Sequence, residues 1–224
     1  MDWQIGLSVS ALVYLAFLFG VLGFLARDEL LLRLLMLGAS ALYLVYYYHV
    51  TAAPLWDSVI TTAVLGGVNL VMIAVVVLER TTLSMSADSA ALLRHFPMLS
   101  PGQFRRLLHS GRRVSVTEPV VLTRENAPVD RLWYVYEGAL RIDKAGGVSR
   151  VDNAMFVGEL AFLTGAPASA SVSVEAGARY LEWDAPALQA LIDKSPGLHV
   201  ALQAQFNSDL VRKVTASVPS RVDA

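Results

Sequence analysis

The sequence predicts a chain of two parts: three N-terminal transmembrane α-helices, followed by a β-roll (jelly roll) with flanking helices. Three observations predict it. The 224 residues are 55% hydrophobic and only 17% charged, which is too apolar for an average soluble domain. The apolar excess lies in residues 1–78, which hold only two basic and four acidic side chains. From residue 113 onward, short segments of β character follow one another at regular spacing.

Three apolar runs in the first part are long enough to cross a bilayer. Residues 5–25 carry no charge, and at about 1.5 Å per residue they span a hydrocarbon core of about 30 Å. Residues 30–50 form the second run, with Arg33 near its start, where an arginine side chain reaches the headgroups. Residues 58–78 form the third run. A cleaved signal peptide is not expected, because Asp2 is the only charge before the first run.

The positions of the basic residues predict the orientation. Arg27 and Arg33 belong to the connection between the first two runs, residues 51–57 carry no basic side chain, and Arg80 and Arg94 follow the third run. Because lysine and arginine favour the cytoplasmic side, we expect a multi-pass protein of the cell (inner) membrane, in contact with membrane lipid, with its N-terminus outside. The expected domains are a transmembrane region at 1–80, a helical lead-in at 81–112, and a cytoplasmic β-roll with C-terminal helices at 113–224.

The second part combines helix and strand signals. Ser100, Pro101 and Gln103 form the pattern of a helix N-terminus with a capping box, and Gly111 lies just beyond the expected end of that helix. Eight short segments of β character follow between residues 113 and 184, separated by turn signals. Helical patterns return at 184–194 and 196–214, so the strands are expected to form a roll between helices.

Composition and spacing exclude several function classes. Cysteine is absent, which excludes disulfide scaffolds, thiolate catalysis and cysteine-ligated metal sites. The net charge of −1 gives no basic footprint for nucleic acid. The four histidines lack the spacing of a zinc-binding helix, and the phosphate-loop and serine-hydrolase motifs are missing. We therefore expect no catalytic residues, no metal, no cofactor and no nucleic-acid partner.

Two successive segments resemble a known family. Residues 132–142 read LWYVYEGALRI, and residues 156–172 read FVGELAFLTGAPASASV. This order resembles the cyclic nucleotide-binding domain of the catabolite-activator and protein-kinase regulatory-subunit superfamily, over about residues 92–214. With three spans in front of that domain, the chain is similar to the Popeye-domain membrane proteins, especially their bacterial relatives.

The resemblance implies a pocket for a cyclic nucleotide, cAMP or cGMP. Gly158 lets the backbone approach a ligand, and residues 159–163 can form a helical turn whose N–H groups point at an anion. Glu159 matches the family carboxylate that accepts the ribose hydroxyl, and the two residues after it match positions whose backbone lines the phosphate. The expected ligand-binding residues are Gly158, Glu159, Leu160, Ala161, Ala168, Ser169, Ala170 and Ser171.

The sequence departs from the family pattern at the phosphate. Where the family has an arginine after the proline, this chain has Pro167-Ala168. A hydrogen bond to a charged group contributes roughly 1.5–3 kcal/mol, so its loss weakens binding by about one to two decades unless another arginine replaces it. Arg124, Arg131 and Arg179 are the candidates for that replacement.

The last predicted helix, residues 197–218, carries two apolar rows. One row, spaced by four and three residues, has the seam pattern of a helix pair, and the other is expected to pack against the roll. A single broad apolar face that covers the domain core explains both rows as well, and the resemblance favours a homodimer. The seam row is Val200, Ala204, Asn207, Val211, Val214 and Val218; the second row is Leu198, Leu202, Phe206 and Leu210.

The function expected from these features is a membrane-anchored, non-enzymatic cyclic nucleotide sensor, whose ligand binding is transmitted through the C-terminal helix. Two alternatives stay open. A degenerate domain would serve as a scaffold for dimerisation and partner docking, and a small transporter or channel subunit would be regulated by the domain. The basic pairs Arg105-Arg106 and Arg112-Arg113 either contact anionic headgroups, at about 1 kcal/mol per charge, or form a solvated face.

Overall fold

The computed structural model describes residues 2–152 and 154–217, with side chains for residues 10–152 and 154–213. It divides into two compact units, Met1–Leu83 and Ser84–Ala224. The first unit contains the helices α1 (Asp2–Leu25), α2 (Glu29–His49) and α3 (Trp56–Arg80), and α2 packs against the other two. Asp28 caps α2 through the Leu31 N–H at 3.0 Å and binds Arg80 at the end of α3 at 2.7 Å.

Two of these helices are candidate membrane spans. α2 and α3 have mean hydropathies of 1.7 and 2.3 over their most apolar windows. In α1 the apolar stretch whose side chains are described, Ser10–Leu25, is shorter than the 18 residues that a candidate span requires. The structure thus gives two candidate spans among the described residues, by length and composition only, where the sequence predicted three; the first span, residues 5–25, and the orientation stay predictions.

The second unit is a β-roll with helices before, within and after it. Its two antiparallel sheets have the strand orders β1-β8-β3-β6 and β2-β7-β4-β5. The elements are, in chain order, α4 (Ala87–Leu93), α5 (Pro101–Ser110), β1 (Arg112–Ser115), β2 (Val120–Thr123), β3 (Arg131–Glu137), β4 (Leu140–Lys144), β5 (Gly147–Val151), β6 (Met155–Val157), α6 (Glu159–Thr164), β7 (Ser171–Val174), β8 (Arg179–Asp184), α7 (Ala185–Asp193) and α8 (Pro196–Ser217).

Each of the eight predicted β segments overlaps one of these strands, so the predicted roll with flanking helices is confirmed. Short segments of β character separated by turn signals gave the right result because such turns join neighbouring antiparallel strands. The capping box is also confirmed: the Gln103 N–H donates to Ser100 Oγ at 3.2 Å, and the Ser100 N–H donates to Gln103 Oε1 at 2.8 Å.

Two hydrophobic cores lie on opposite faces of the first sheet. On β3, Trp133 and Val135 point into the roll, where they meet residues of the second sheet such as Leu140. The alternate residues Leu132 and Tyr134 point toward the helices. This alternation explains why four consecutive residues of one strand are buried. The first sheet therefore connects the interior of the roll with the helical layer that includes α8.

The two apolar rows of α8 have different environments. Leu198, Leu202 and Phe206 are fully buried in the helical core, which confirms the prediction that this row packs against the domain. In the other row, Val200 and Val211 are 68% and 65% exposed. One broad covering face is therefore the wrong interpretation of the helix. The remaining seam positions, Val214 and Val218, lie outside the described side chains.

Alanine substitutions at two glycines with left-handed backbone, Gly138 and Gly146, distinguish the cost of backbone strain from the cost of close packing. Gly138 has a φ of +93°, and a Cβ there would lie 2.7 Å from the Ala178 Cα; Gly146 has a φ of +81° and nothing within 4 Å of its Cβ position. We expect Gly146→Ala to cost about 1–2 kcal/mol, the strain of a left-handed alanine. Gly138→Ala should cost roughly 1–3 kcal/mol more, because the β3–β4 turn and the β7–β8 turn must also move apart.

Thermal unfolding of the full chain, followed by tryptophan fluorescence, measures this difference between the two variants. Equal melting temperatures for them would show that the close approach at Gly138 does not limit stability.

Candidate functional site

The segment between β6 and β7, residues 158–170, begins with the glycine that was predicted to let the backbone approach a ligand. Gly158 has a φ of +87°, and a Cβ there would lie 3.0 Å from the Arg131 carbonyl oxygen and 3.2 Å from Val129 Cγ1. The fold of the roll therefore requires glycine at this position, because β3 already lies against its Cα. Whether a ligand also approaches it stays a prediction.

The next residues form the predicted helical turn. α6 starts at Glu159, and its first intrahelical hydrogen bond runs from the Phe162 N–H to the Gly158 carbonyl at 2.9 Å. Gly158 offers no side chain as a cap. Within the described residues, the N–H groups of Glu159, Leu160 and Ala161 have no protein acceptor, as expected for a first turn. Whether these amides bind an anion stays a prediction.

The Glu159 side chain is already paired. It is only 6% exposed, and its Oε1 lies 2.6 Å from Nζ of Lys213, near the end of α8. The same ammonium group donates to the Phe156 carbonyl oxygen at 2.6 Å and lies 3.0 Å from Asp209 Oδ2. All three donors of Lys213 thus have an oxygen acceptor on β6, α6 or α8 itself.

Asp209 is the second carboxylate of this cluster. Its side chain is 2% exposed, accepts a hydrogen bond from the Phe156 N–H at 3.3 Å and is paired with Arg212. Arg212 also donates to the Ala154 carbonyl oxygen. We call Glu159, Asp209, Arg212 and Lys213 the α6–α8 charge cluster. It ties the last turns of α8 to the backbone of β6 and to the first residue of α6.

The other predicted site residues lie where the segment enters β7. The Ala168 carbonyl accepts from the Asn126 N–H at 2.8 Å, and the Ala168 N–H donates to Ala127 at 2.9 Å. Further along, Ser171 Oγ accepts from the Glu125 N–H at 2.9 Å. Residues 124–127, the loop after β2, therefore run beside residues 168–171.

The eight predicted ligand-binding residues differ in exposure. The exposed ones are Leu160 and Ser169; Gly158 and Ser171 are half-buried; Glu159, Ala161, Ala168 and Ala170 are buried. The turn of α6 and the start of β7 thus belong to the one segment that joins β6 to β7. Their contact with a ligand stays a prediction.

Two of the three arginines proposed to replace the missing phosphate contact are already paired. Arg131 binds Glu182 at 2.9 Å, and Arg179 binds Glu137 at 3.3 Å. Arg124 is exposed and, within the described chain, forms no ion pair. Since its neighbours Asn126 and Ala127 pair with Ala168, Arg124 is the candidate that the backbone places beside the substituted position.

A further buried carboxylate lies inside the roll. Glu182 on β8 is paired in register with Arg112 and Trp133 on the two neighbouring strands. It accepts from Trp133 Nε1 at 3.1 Å, from Arg131 Nη1 at 2.9 Å and from Arg112. Burial raises the pKa of this carboxyl, but the hydrogen bonds and the two guanidinium charges outweigh burial, and its pKa lies below the ordinary value.

The sequence prediction missed Lys213, Asp209 and Glu182. The spacing of Asp209 and Lys213, four residues apart on one helix, was visible, but it is common on solvated helix faces. Glu182 lies between two core residues in the segment RYLEWD, at a position that alternation directs into the roll. A charged residue at an inward position was the available signal. Among the described residues, no group of three histidine or acidic side chains is arranged to hold a metal ion.

Comparison with known proteins gives a family match within the second unit. Residues 113–195 match the family described as the cyclic nucleotide-binding domain. The matched residues include the strands of the roll and the helix α7. No curated protein matches the chain.

Three solved structures are similar to parts of the chain at low sequence identity. A candidate cyclic nucleotide-binding protein of Geobacter metallireducens is 16% identical, covers 58% of this chain and 98% of its own, and has a TM-score of 0.50. The N-terminal domain of a transcriptional regulator from Streptomyces coelicolor is 23% identical, with 57% and 93% coverage and a TM-score of 0.44. The regulatory domain of Toxoplasma gondii PKA, solved with cAMP, is 21% identical, with 47% and 44% coverage and a TM-score of 0.42.

The lowered pKa of Glu182 predicts a pH-dependent contribution to stability. Its ionised form stabilises the fold above the ordinary carboxyl pKa, and this contribution is lost as the pH falls through the lower folded-state pKa. We expect Glu182→Gln to lower stability by about 1–3 kcal/mol at pH 7. The difference from the wild type should shrink as the pH falls toward 3.

The matched control is Glu137→Gln, which removes an exposed ion pair with Arg179. It should change stability by less than about 1 kcal/mol at pH 7. Melting temperatures of the full chain between pH 7 and pH 3 check both variants. A Glu182→Gln deficit that stays constant over this range would contradict the proposed ionic origin.

Proposed function

We propose that this chain is a membrane-anchored, non-enzymatic sensor of a cyclic nucleotide, cAMP or cGMP, in which ligand binding is coupled to the position of α8. Three features support it: the cyclic nucleotide-binding domain, the first turn of α6 with its unpaired amides, and two apolar helices in front of the domain. In this proposal the N-terminus lies outside and the domain lies in the cytoplasm.

The observation that carries the proposal concerns Glu159, which matches a ligand-binding residue of the family and is also bound to α8. By its place in the sequence it matches the carboxylate that accepts the ribose hydroxyl in the superfamily, and in this structure the same carboxylate binds Lys213 of α8 at 2.6 Å. A ligand whose hydroxyl donates a hydrogen bond to Glu159 must therefore weaken or reorganise the contact that holds the end of α8.

The coupling has a definite thermodynamic form. The arrangement with Glu159 bound to Lys213 is the ligand-free state, and the arrangement with Glu159 bound to a ribose hydroxyl is the liganded state. A ligand shifts the balance only as far as it prefers the second arrangement. Since Lys213 and the ligand compete for one carboxylate, binding is weaker than it would be without the lysine, and α8 is less firmly attached once ligand is bound.

The exposed row of α8 is the surface through which a movement of this helix would act on a second chain. Val200, Asn207 and Val211 lie on the solvent side of a helix whose other row is buried in the core. Paired with the same row of a second chain, they would form a homodimer seam in which Asn207 sets the register. We propose that ligand binding changes the geometry of this dimer and so reaches a partner or the membrane helices.

The scaffold alternative also has an observation in its favour. Glu159 is satisfied by Lys213, and both backbone polar groups of Ala168 are satisfied by the loop after β2. A domain with these groups permanently paired serves for dimerisation and partner docking and binds no nucleotide. A failure of the purified full chain to bind fluorescent cAMP or cGMP at millimolar concentration would support the scaffold and contradict the sensor.

Competition between Lys213 and the ligand for Glu159 predicts that one substitution strengthens ligand binding. Lys213→Gln removes the ammonium from Glu159, so we expect a fluorescent cyclic nucleotide to bind the full chain about tenfold more tightly, since a hydrogen bond between charged groups contributes roughly 1.5–3 kcal/mol. Lys194→Gln is the matched control. Lys194 is an exposed lysine directly after α7, and its replacement removes the same charge. Fluorescence anisotropy in detergent measures both. Unchanged or weaker binding by the Lys213 variant would contradict the competition.

A second prediction concerns the missing phosphate arginine. If Arg124 supplies the counter-charge beside Ala168, Arg124→Gln should weaken nucleotide binding about tenfold or more. The control Arg141→Gln removes an exposed arginine from β4, on the outer face of the second sheet. Equal affinities of these two variants would show that the cradle of amides binds the phosphate without Arg124.

A further inference from the structure

A cavity of about 250 Å³ lies where α4, α5 and the start of β1 meet, away from the segment discussed above. The residues around it are mostly polar or basic, and no acidic side chain is among them in the described chain. Its lining comprises Ser84, Met85, Ser86, Ser89, Arg105, Leu108, His109 and Arg113. The cavity belongs entirely to the second unit.

The two guanidinium groups of the cavity both bind serine hydroxyls. Arg113 Nη2 donates to Ser89 Oγ at 2.6 Å, and Arg105 donates to Ser84 Oγ. Ser89 Oγ lies 2.9 Å from Ser86 Oγ, so these two hydroxyls lie side by side in the lining. A guanidinium gains more from an anionic oxygen than from a neutral hydroxyl, because a charge-assisted hydrogen bond is roughly twice as strong.

The geometry points to a phosphate group as the ligand, and we propose that this cavity binds the phosphate headgroup of an anionic lipid. Guanidinium forks and hydroxyl donors are the groups that bind phosphate oxygens in proteins. A carboxylate in the cavity would oppose an anion, and the lining contains none.

The position of the cavity in the chain indicates the source of the phosphate. Ser84 follows only four residues after Arg80, the last residue of the apolar helix α3. If α3 spans the bilayer, that short connection keeps the cavity within reach of the headgroup layer, where basic side chains attract anionic lipids. The site would fix the domain at the membrane surface independently of any nucleotide.

The test uses the full chain in detergent, with phosphatidic acid as the probe and phosphatidylcholine for comparison, measured by native mass spectrometry. Arg113→Gln should weaken phosphatidic acid binding about tenfold or more. Arg94→Gln is the matched control: this arginine is exposed at the end of α4, does not line the cavity, and its loss changes the net charge equally. The Arg94 variant should bind like the wild type.

Inorganic phosphate distinguishes the two sources. The lipid source predicts that millimolar phosphate does not displace phosphatidic acid from the wild type. Displacement that depends on Arg113 would keep the phosphate site but overturn the lipid as its source. Equal binding of phosphatidylcholine, or equal losses in the two variants, would overturn the proposal, because lipid would then bind the apolar helices alone.

Discussion

The α6–α8 charge cluster is the constraint on which the rest of the site depends. Glu159 and Asp209 are 6% and 2% exposed, and a carboxylate removed from water to this extent is costly unless it is paired and hydrogen-bonded. Lys213 supplies that pairing to both. Removal of the lysine leaves the buried Glu159 carboxylate without a cationic partner, and displacement of α8 does the same, whereas Asp209 keeps Arg212 of its own helix. The last turns of α8 are therefore held against α6 by the cost of unpairing Glu159.

The α6–α8 charge cluster lies where the two hydrophobic cores of the domain meet. Phe156 of β6 packs against Phe206 of α8, with ring centroids 4.9 Å apart, while its backbone N–H and carbonyl bind Asp209 and Lys213. The neighbouring residue Val157 points the other way, into the roll. A displacement at the start of α6 therefore reaches the helical layer through β6, which is packed on both faces. Interiors packed in this way transmit small displacements instead of absorbing them.

Local signals in the sequence predicted most of the fold. Short segments of β character between turn signals predicted the eight strands, and Ser100 with Gln103 predicted the start of α5, because these patterns depend on neighbours a few residues apart. The pairing of Glu159 with Lys213 joins residues 54 positions apart, and that of Glu182 with Arg112 joins residues 70 positions apart. One sequence carries no local signal for such pairs. The resemblance indicated that Glu159 is a site residue, but only the packing of α8 shows what occupies its carboxylate.

The absence of cysteine permits a direct measurement of the central claim, because two introduced cysteines can be spin-labelled without background. Leu163 on α6 and Ser208 on α8 are exposed, lie outside the proposed dimer row and suit this purpose. Electron–electron resonance on the full chain would report their separation with and without saturating cAMP. The account predicts a longer or broader distance distribution when the nucleotide is bound, as Lys213 leaves Glu159. An unchanged distribution in protein that demonstrably binds cAMP would contradict it.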